Sequence, residues 1–226
     1  MSTPILIYGA YGYTGELIVR EALKRGWKPV VAGRHAAKLQ ALAQQHGLDA
    51  RVFGLDDTVK IDAGIEGMAA VIHCAGPFSH TAVPMAEACL RSHTHYIDIT
   101  GEIFVFKTLA ALDARAKTSG VMLLPGAGCD VVPSDCLAMQ LKEKLPSAKY
   151  LALGLYVTFT PSHGTAATML ENLPLGGAIT RDGRLTPVPS AWKQRSIDFG
   201  ERTYSAVTIP WGDVFTAAHS TGIPNV

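Results

Sequence analysis

A glycine-rich turn directly after the first apolar segment constrains the fold of this chain more than any other feature. The apolar segment is Ile5-Leu6-Ile7-Tyr8, and a helical pattern with apolar residues three and four positions apart runs from Glu16 to Lys24. This order predicts a strand, a tight turn and a helix packed closely on that strand. The turn consists of Gly9, Ala10, Tyr11, Gly12, Tyr13, Thr14 and Gly15.

The same alternation of short apolar runs and helical patterns continues as far as residue 146. The strands lack a clean polar alternation, which is typical of a parallel sheet buried on both faces. The sequence therefore predicts an α/β fold with a doubly wound parallel sheet of the Rossmann type. Further strands are expected at 30–32, 51–53, 70–74, 96–99 and 121–124, and further helices at 38–43, 81–91, 102–119 and from Pro133 to just before Pro146.

The pattern changes after this Rossmann domain, which is expected to span residues 1–146, and a smaller α+β domain is predicted for residues 147–226. Residues 151–160 form a β-rich run, residues 164–172 favour a short helix, and residues 184–210 favour short strands separated by glycine and proline. The last residues of the chain contain no helix that could close this region. The second domain is therefore expected to be incomplete at its C-terminal end.

Composition restricts the classes of protein to which the chain can belong. Apolar residues make up 48% of its 226 residues and charged residues 17%, which favours a large buried core over disorder. The 20 lysine and arginine residues nearly balance the 19 acidic residues, so no broad positive field is available for nucleic acid. Glycine and proline interrupt the long uncharged stretches, so no transmembrane segment is expected.

The cysteines and the N-terminus indicate a cytoplasmic protein. The four cysteines form no Cys-x-x-Cys pair, and no histidine cluster accompanies them, so neither a disulfide framework nor a metal site is expected. The first residues contain no basic segment and reach a glycine after a short apolar run, unlike a secretory signal peptide. Reduced thiols are therefore expected.

The glycine spacing of the first turn is a variant of the dinucleotide-binding fingerprint. Gly9 permits the tight turn, Gly12 lets backbone approach a pyrophosphate, and Gly15 lets the helix pack on the strand. The N-terminus of the following helix attracts phosphates. The strand, turn and helix context predicts that a dinucleotide binds here, although a purely structural turn would need similar glycines.

The end of the second strand indicates which dinucleotide binds. NAD-binding folds usually have Asp or Glu at this position, whereas this chain has Gly33 and Arg34, with Lys38 one helical turn further on. Arg34 can pair bidentately with a 2′-phosphate, and Lys38 can add a second positive charge. NADP is therefore the predicted cofactor, and the alternative is that both cations are simply solvated.

Ligands of open parallel sheets bind beyond the carboxyl ends of the strands. The fourth strand runs into Ala75-Gly76-Pro77, where a cofactor can approach the backbone, and the next residue, Phe78, is either a flank of the nicotinamide ring or a core aromatic. The fifth strand contains Tyr96 and Asp98. Because a buried acid needs a partner, a structural role is favoured for Asp98.

Candidates for a catalytic proton donor are weak, and they are Asp130, His163 and Tyr96. Asp130 follows the sixth strand, near where a nicotinamide should bind, but it could equally cap the next helix. Cys129 has no neighbouring cation in the sequence and is not predicted to be a nucleophile. The chain lacks a Tyr-x-x-x-Lys pair, which excludes the chemistry of short-chain dehydrogenases.

Taken together, these motifs resemble the saccharopine dehydrogenase-like oxidoreductases, and especially their subgroup of trans-acting enoyl reductases. The likeness covers almost all of the chain and is most specific from Tyr96 to Glu102. It implies an NADP-binding Rossmann domain joined to a substrate domain, with a small-molecule substrate held between them. Relatives continue beyond the Thr221-Gly222-Ile223-Pro224-Asn225 motif, near which this chain ends.

The resemblance implies hydride transfer from NADPH to a polarised double bond, and the enoyl C=C bond of a lipid-like substrate is the first hypothesis. An imine or amino-acid substrate, as in saccharopine chemistry, is the alternative, and a non-catalytic NADP sensor is a third. A homodimer is also expected, because the apolar residues of the run at 151–160 need a cover that the rest of the second region scarcely provides.

Overall fold

The computed structural model describes residues 4–156, 166, 170 and 176–226. By its internal contacts the chain divides into two units. The first unit comprises Met1–Thr100 and Lys107–Ala127, and the second comprises Gly101–Phe106 and Gly128–Val226.

A six-stranded parallel sheet forms the centre of the first unit. Its order is β3-β2-β1-β4-β5-β6, so the direction of winding reverses between β1 and β4. Ligands of doubly wound sheets bind at this reversal, beyond the carboxyl ends of the strands. The predicted Rossmann fold is confirmed. The strands are β1 Ile5–Tyr8, β2 Val30–Gly33, β3 Ala50–Val52, β4 Ala70–His73, β5 His95–Asp98 and β6 Leu123–Leu124.

Helices connect these strands, and the predictions for them fail at two places in the chain. The predicted single helix over 102–119 is wrong, because the chain turns tightly where the Leu112 amide donates to the Leu109 carbonyl at 3.0 Å. The helix α3 was not predicted, although Asp57 caps it by accepting from the Val59 and Lys60 amides. The helices are α1 Tyr13–Lys24, α2 Ala36–His46, α3 Thr58–Ile65, α4 Phe78–Arg91, α5 Ile103–Ala110 and α6 Asp113–Ser119.

Both faces of the sheet are buried, which explains why its strands show no polar alternation. On one face Ile7 and Val31 pack in a cluster with Val19 of α1 and Leu39 of α2. A second set of side chains is aromatic and surrounds His73 of β4. The other three rings, from β1, the start of α4 and β5, have centroids about 5 to 6 Å from that of His73. This aromatic cluster consists of Tyr8, His73, Phe78 and Tyr96.

Two helices and two antiparallel hairpins form the second unit, as predicted for an α+β region. The helices are α7 Val132–Lys144 and α8 Asp213–Thr221, and the hairpins are β7 Gly177–Arg181 with β8 Arg184–Val188, and β9 Gln194–Asp198 with β10 Thr203–Val207. Within this unit α7 packs against α8, and the domain boundary after residue 146 stays a prediction.

Three predictions for the second region need comment. Residues 151–156 form no strand, because beyond the bond from the Leu151 amide to the Asn225 carbonyl no ladder continues among the described residues. The rest of that run and most of the predicted helix at 164–172 lie outside the described residues. The unpredicted helix α8 directly precedes the last residues and packs on α7 and β7. None of the described helices is both long and apolar enough to cross a membrane.

Candidate functional site

The turn after β1 presents backbone rather than side chains to a ligand. Gly9 adopts a left-handed conformation with φ of 79°, and its amide donates to the Ala32 carbonyl at 2.8 Å. Gly12 caps α1 without any side-chain hydrogen bond. The free amides of the first turn of α1 are therefore open to an anion such as a pyrophosphate.

Close packing accounts for two of the three glycines. A Cβ at Gly15 would lie only 2.3 Å from the Gly9 carbonyl oxygen, so α1 can rest on the turn only with glycine there. A Cβ at Gly9 would lie 3.0 Å from the Ala75 amide nitrogen. The loops after β1 and β4 thus touch through backbone, which places Ala75 beside the glycine turn.

Tyr11 links the glycine turn to the end of β2. Its ring lies over Gly33, where a Cβ would be 2.5 Å from Tyr11 Cε1. Its hydroxyl accepts a hydrogen bond from the His35 amide at 3.3 Å, and the two rings are 5.8 Å apart. The glycine at position 33 is therefore required by the tyrosine, a relation that the sequence did not reveal.

Arg34 and Lys38 lie at the N-terminus of α2 and are exposed. Neither makes an ion pair within the part of the chain that the structure describes, whereas most exposed arginines of the first unit do. His35 caps α2 without a side-chain hydrogen bond, and the first turn of α2 contains no acid. Two unpaired cations at an open helix N-terminus fit the 2′-phosphate of NADP.

The loop after β4 is held in place by Thr81 of α4. The Thr81 hydroxyl lies 2.6 Å from the Ala75 carbonyl oxygen and 3.1 Å from that of Pro77. Sequence reasoning missed this residue, whose signal is a threonine one helical turn into α4. The Ala75-Gly76-Pro77 backbone, which contains a cis Gly76-Pro77 bond, is thereby fixed next to the glycine turn.

Phe78 belongs to the core and does not face a ligand. It is 7% exposed, and its ring meets that of His73 edge-on at 5.4 Å. His73 is completely buried, and neither ring nitrogen has a hydrogen-bond partner among the described residues. Burial lowers the pKa of His73 to about 3, so this ring is neutral. Of the two interpretations of Phe78, the core aromatic is confirmed.

Asp98 organises the carboxyl ends of β5 and β6. One carboxylate oxygen accepts from the amides of Thr100 at 2.9 Å and Gly126 at 2.8 Å, and the other accepts from the Tyr96 hydroxyl at 2.6 Å. Tyr96 is fully buried, and burial together with Asp98 raises its pKa well above the ordinary value. This geometry favours a structural role for both residues, and it argues against Tyr96 as a proton donor.

Asp130 is half-buried in the second unit, and burial raises the pKa of its carboxyl. The Cys129 thiol donates to it at 3.8 Å, and the pKa of Cys129 is itself raised by burial and by Asp130, which leaves this thiol unreactive. The second carboxyl oxygen of Asp130, Oδ2, faces Gly101, beside the indole of Trp211. Sequence reasoning missed Trp211. His163 lies outside the described residues.

Comparison with known proteins agrees with this geometry. A family model described as the saccharopine dehydrogenase NADP binding domain matches residues 5–124. These residues contain the glycine turn, both cations and the Ala75-Gly76-Pro77 loop.

Curated relatives and a solved structure extend the likeness. A trans-acting enoyl reductase of Mycobacterium bovis (strain BCG / Pasteur 1173P2) is 29% identical over 151 residues, which is 62% of this chain and 35% of the relative. One from Mycobacterium leprae (strain TN) is 30% identical over 152 residues, 62% of this chain and 36% of the relative. The chain thus spans about a third of the length of these relatives.

A solved structure, apo saccharopine dehydrogenase (L-Glu forming) from Saccharomyces cerevisiae, matches with a TM-score of 0.66. The match covers 99% of this chain and 53% of the other, at 16% sequence identity. At this identity the match shows a shared fold, including the second unit.

Proposed function

Because the chain belongs to the family of the saccharopine dehydrogenase NADP-binding domain, we propose that it is part of an NADPH-dependent reductase. The observation that carries the proposal is the pair of exposed, unpaired cations, Arg34 and Lys38, beside a glycine turn with open backbone amides. The curated relatives are trans-acting enoyl reductases, which supports a C=C bond conjugated to a carbonyl in a lipid-like substrate.

The residues of the first unit suit distinct parts of the cofactor. The amides from Tyr13 to Gly15 would hold the pyrophosphate, and Arg34 and Lys38 would hold the 2′-phosphate. The Ala75-Gly76-Pro77 backbone, fixed by Thr81, would lie along the nicotinamide side. When bound, NADPH supplies two electrons and one hydrogen as a hydride. The chain's own contribution is to orient the reactants and exclude water.

Asp130 is proposed as the proton source, since reduction of a C=C bond consumes one proton as well as a hydride. Burial raises the pKa of this carboxyl, so it stays protonated at higher pH than an exposed aspartate. Asp130 would give its proton to the carbon next to the carbonyl and recover it from solvent. Asp130→Asn is expected to lower kcat while leaving the Kd for NADPH unchanged.

Cofactor titration tests the proposal directly. Arg34→Ala should weaken NADPH binding by about 1.5 to 3 kcal/mol, because one charge-assisted phosphate contact is lost. Binding of NADH, which lacks the 2′-phosphate, should barely change. Arg25→Ala is the matched control, because Arg25 is exposed on α1 and already paired with Glu21. Equal affinity of the parent protein for NADPH and NADH would contradict the proposal.

A substrate screen separates enoyl reduction from amino-acid chemistry. NADPH absorbance is followed with enoyl thioesters, with ketones, and with pairs of an amino acid and a keto acid. Turnover of the enoyl thioesters is expected. If only the amino-acid pairs oxidise NADPH, the enoyl part of the proposal is wrong.

A homodimer formed through the second units is also proposed. Apolar side chains near the β9–β10 hairpin are exposed. The segment that ends at Tyr156 contacts this hairpin, because the Tyr156 hydroxyl lies 3.1 Å from that of Tyr204 in β10. Within the part of the chain that the structure describes, β9 and β10 pair only with each other, so each strand also has an edge without a partner there. A two-fold axis would let one patch cover another. The exposed side chains are Leu155, Tyr156, Trp192, Val207 and Ile209.

A further inference from the structure

An indole N–H in the second unit has no acceptor of its own. Nε1 of Trp211 is buried and makes no hydrogen bond to any described residue. Leaving a buried donor unsatisfied destabilises the folded state, because the group loses its hydrogen bonds to water. Such a group in a folded protein is therefore expected to have a function, and an oxygen of a ligand would satisfy it.

Two polar groups converge on one point beside Gly101. A Cβ added there would lie 3.3 Å from Asp130 Oδ2 and 3.6 Å from Trp211 Nε1. The backbone at Gly212 lies close to that at Gly101, since a Cβ added at Gly212 would be 3.1 Å from the Gly101 carbonyl oxygen. The carboxyl of Asp130 and the indole N–H of Trp211 therefore lie on the same side of the backbone at Gly101.

A small cavity lies next to the chain neighbours of Gly101 and Trp211. It has a volume of about 40 Å³ and is lined by Glu102 and Pro210, the chain neighbours of Gly101 and Trp211, together with Gly177. One water molecule needs about 10 to 15 Å³ of such space, so a carbonyl-sized group fits.

The charge around this point selects a neutral ligand. Burial raises the pKa of Asp213, and the charges of Asp135 and Asp130 raise it further, so the three carboxyl groups act on one another. A carboxylate ligand would add a negative charge at a half-buried position, where three carboxyl groups already compete for protons. A carbonyl oxygen accepts the same hydrogen bond without that cost.

We infer that Trp211 and Asp130 bind the carbonyl end of a neutral α,β-unsaturated acyl group, such as a thioester, with the indole N–H donating to the carbonyl oxygen. This rests on the proposed enoyl reduction and names its substrate class, a neutral acyl derivative rather than a free acid or an amino acid. The hydrogen bond polarises the conjugated C=C bond and stabilises negative charge that develops on the oxygen.

Indole resonances in a ¹H–¹⁵N NMR spectrum test the inference without turnover. The chain contains three tryptophans, and Trp27 and Trp192 are 58% and 40% exposed. The probe is crotonyl N-acetylcysteamine thioester, added to the protein saturated with NADP⁺, and crotonate is the charged counterpart. The thioester should shift the Trp211 indole resonance and leave the other two in place, while crotonate should shift none.

Trp211→Phe keeps an aromatic ring and removes the N–H. It should weaken thioester binding by about 3- to 10-fold, the effect of one hydrogen bond, and leave NADPH affinity unchanged. Trp192→Phe is the matched control. Should Trp211→Phe fail to fold, Gly101→Ala places a methyl group at the same point and should abolish the shift of the Trp211 resonance.

The outcomes separate this inference from the proposed function. A thioester that is reduced without shifting the Trp211 resonance overturns the inference and leaves the enoyl reductase intact. An equal or larger shift with crotonate overturns the choice of a neutral ligand. Equal binding of NADPH and NADH contradicts the cofactor proposal, whatever the indole resonance does.

Discussion

Gly12 and Gly15 lie in one turn, but the space available for a side chain differs between them. At Gly15 a Cβ would lie 2.3 Å from a backbone oxygen, whereas at Gly12 the nearest atom would be 3.2 Å away. Gly15→Ala is therefore expected to destabilise the protein by about 1 to 3 kcal/mol, the usual cost of overpacking. Urea unfolding measures this change.

Gly12→Ala is the matched variant, and it is expected to weaken cofactor binding without changing stability. Its φ of −78° and ψ of 163° suit alanine, so stability should stay within about 1 kcal/mol of the parent. The added methyl group would stand where the pyrophosphate approaches the backbone, so NADPH binding should weaken. If Gly15→Ala unfolds no more easily than Gly12→Ala, the packing argument for the turn is wrong.

His73 should make stability depend on pH. Its pKa is about 3 in the folded protein, against about 6.5 in an unfolded chain, so the folded state takes up fewer protons between these values. The contribution of the neutral His73 ring to the free energy of unfolding is complete above pH 6.5. It falls as pH decreases, by up to about 1.4 kcal/mol per pH unit. His73→Leu should remove this slope and be at least as stable as the parent at pH 7.

Denaturant unfolding at pH 7 and pH 5 checks the role of His73. The advantage of His73→Leu over the parent should grow by about 2 kcal/mol between the two pH values. His219→Gln serves as the control for replacing a histidine, since His219 is exposed and lies outside the core of the sheet. A constant difference between His73→Leu and the parent would show that this ring does not titrate on unfolding.

At the scale of elements, α7 and α8 meet through polar side chains. Ser134 is hydrogen-bonded to Asp213 and lies 2.9 Å from the Val131 carbonyl oxygen. The Ser134 hydroxyl carries one proton and donates to the Asp213 carboxyl, with the Val131 carbonyl as a second acceptor nearby. Burial raises the pKa of Asp213 while the hydrogen bond from Ser134 lowers it, with a net increase, and the remaining oxygen of Asp213 has no partner among the described residues.

Asp213→Asn is expected to preserve the α7–α8 contact and to change its pH dependence. A raised folded-state pKa contributes stability below the unfolded pKa of about 3.9, and this stability is lost as pH rises through the folded pKa. The amide cannot ionise, so the variant should gain stability relative to the parent as pH increases from 4 to 8. Thermal unfolding across this range measures the trend.

Asp213→Ala is the informative comparison for this helix pair. It removes the Ser134 partner and should cost about 1 to 3 kcal/mol at every pH, because the buried hydroxyl loses a hydrogen bond and a cavity forms. A parent protein that becomes more stable relative to Asp213→Asn as pH increases would show that the pKa of Asp213 is lowered, not raised, by folding.

At the scale of the whole molecule, the proposed homodimer predicts a mass above the 24.0 kDa of one chain. Sedimentation equilibrium at micromolar concentration should show twice this mass. Val207→Lys combined with Ile209→Lys should shift the equilibrium towards monomer, because both side chains are about half exposed on the proposed interface. Leu137→Lys is the control, since Leu137 is 52% exposed on α7. A parent mass near 24.0 kDa without concentration dependence would contradict the dimer.

The sequence by itself determined the parallel sheet and the cofactor turn. Strands buried on both faces, the glycines between Gly9 and Gly15, and the cations Arg34 and Lys38 are all features of residues close together in the chain. Periodicity and turn chemistry act between such neighbours, and they can therefore be recognised in a single sequence. The same reasoning failed for α5 and α6, where neither glycine nor proline marks the break.

Only the tertiary structure decided which distant residues meet. Trp211 and Asp130 face Gly101, and Ser134 meets Asp213, a residue 79 positions away in the chain. Tyr11 explains the glycine at position 33 only because its ring folds back over β2. Such contacts depend on how side chains from separate elements fill the same space, and close packing decides this for the folded chain as a whole, without leaving a local pattern.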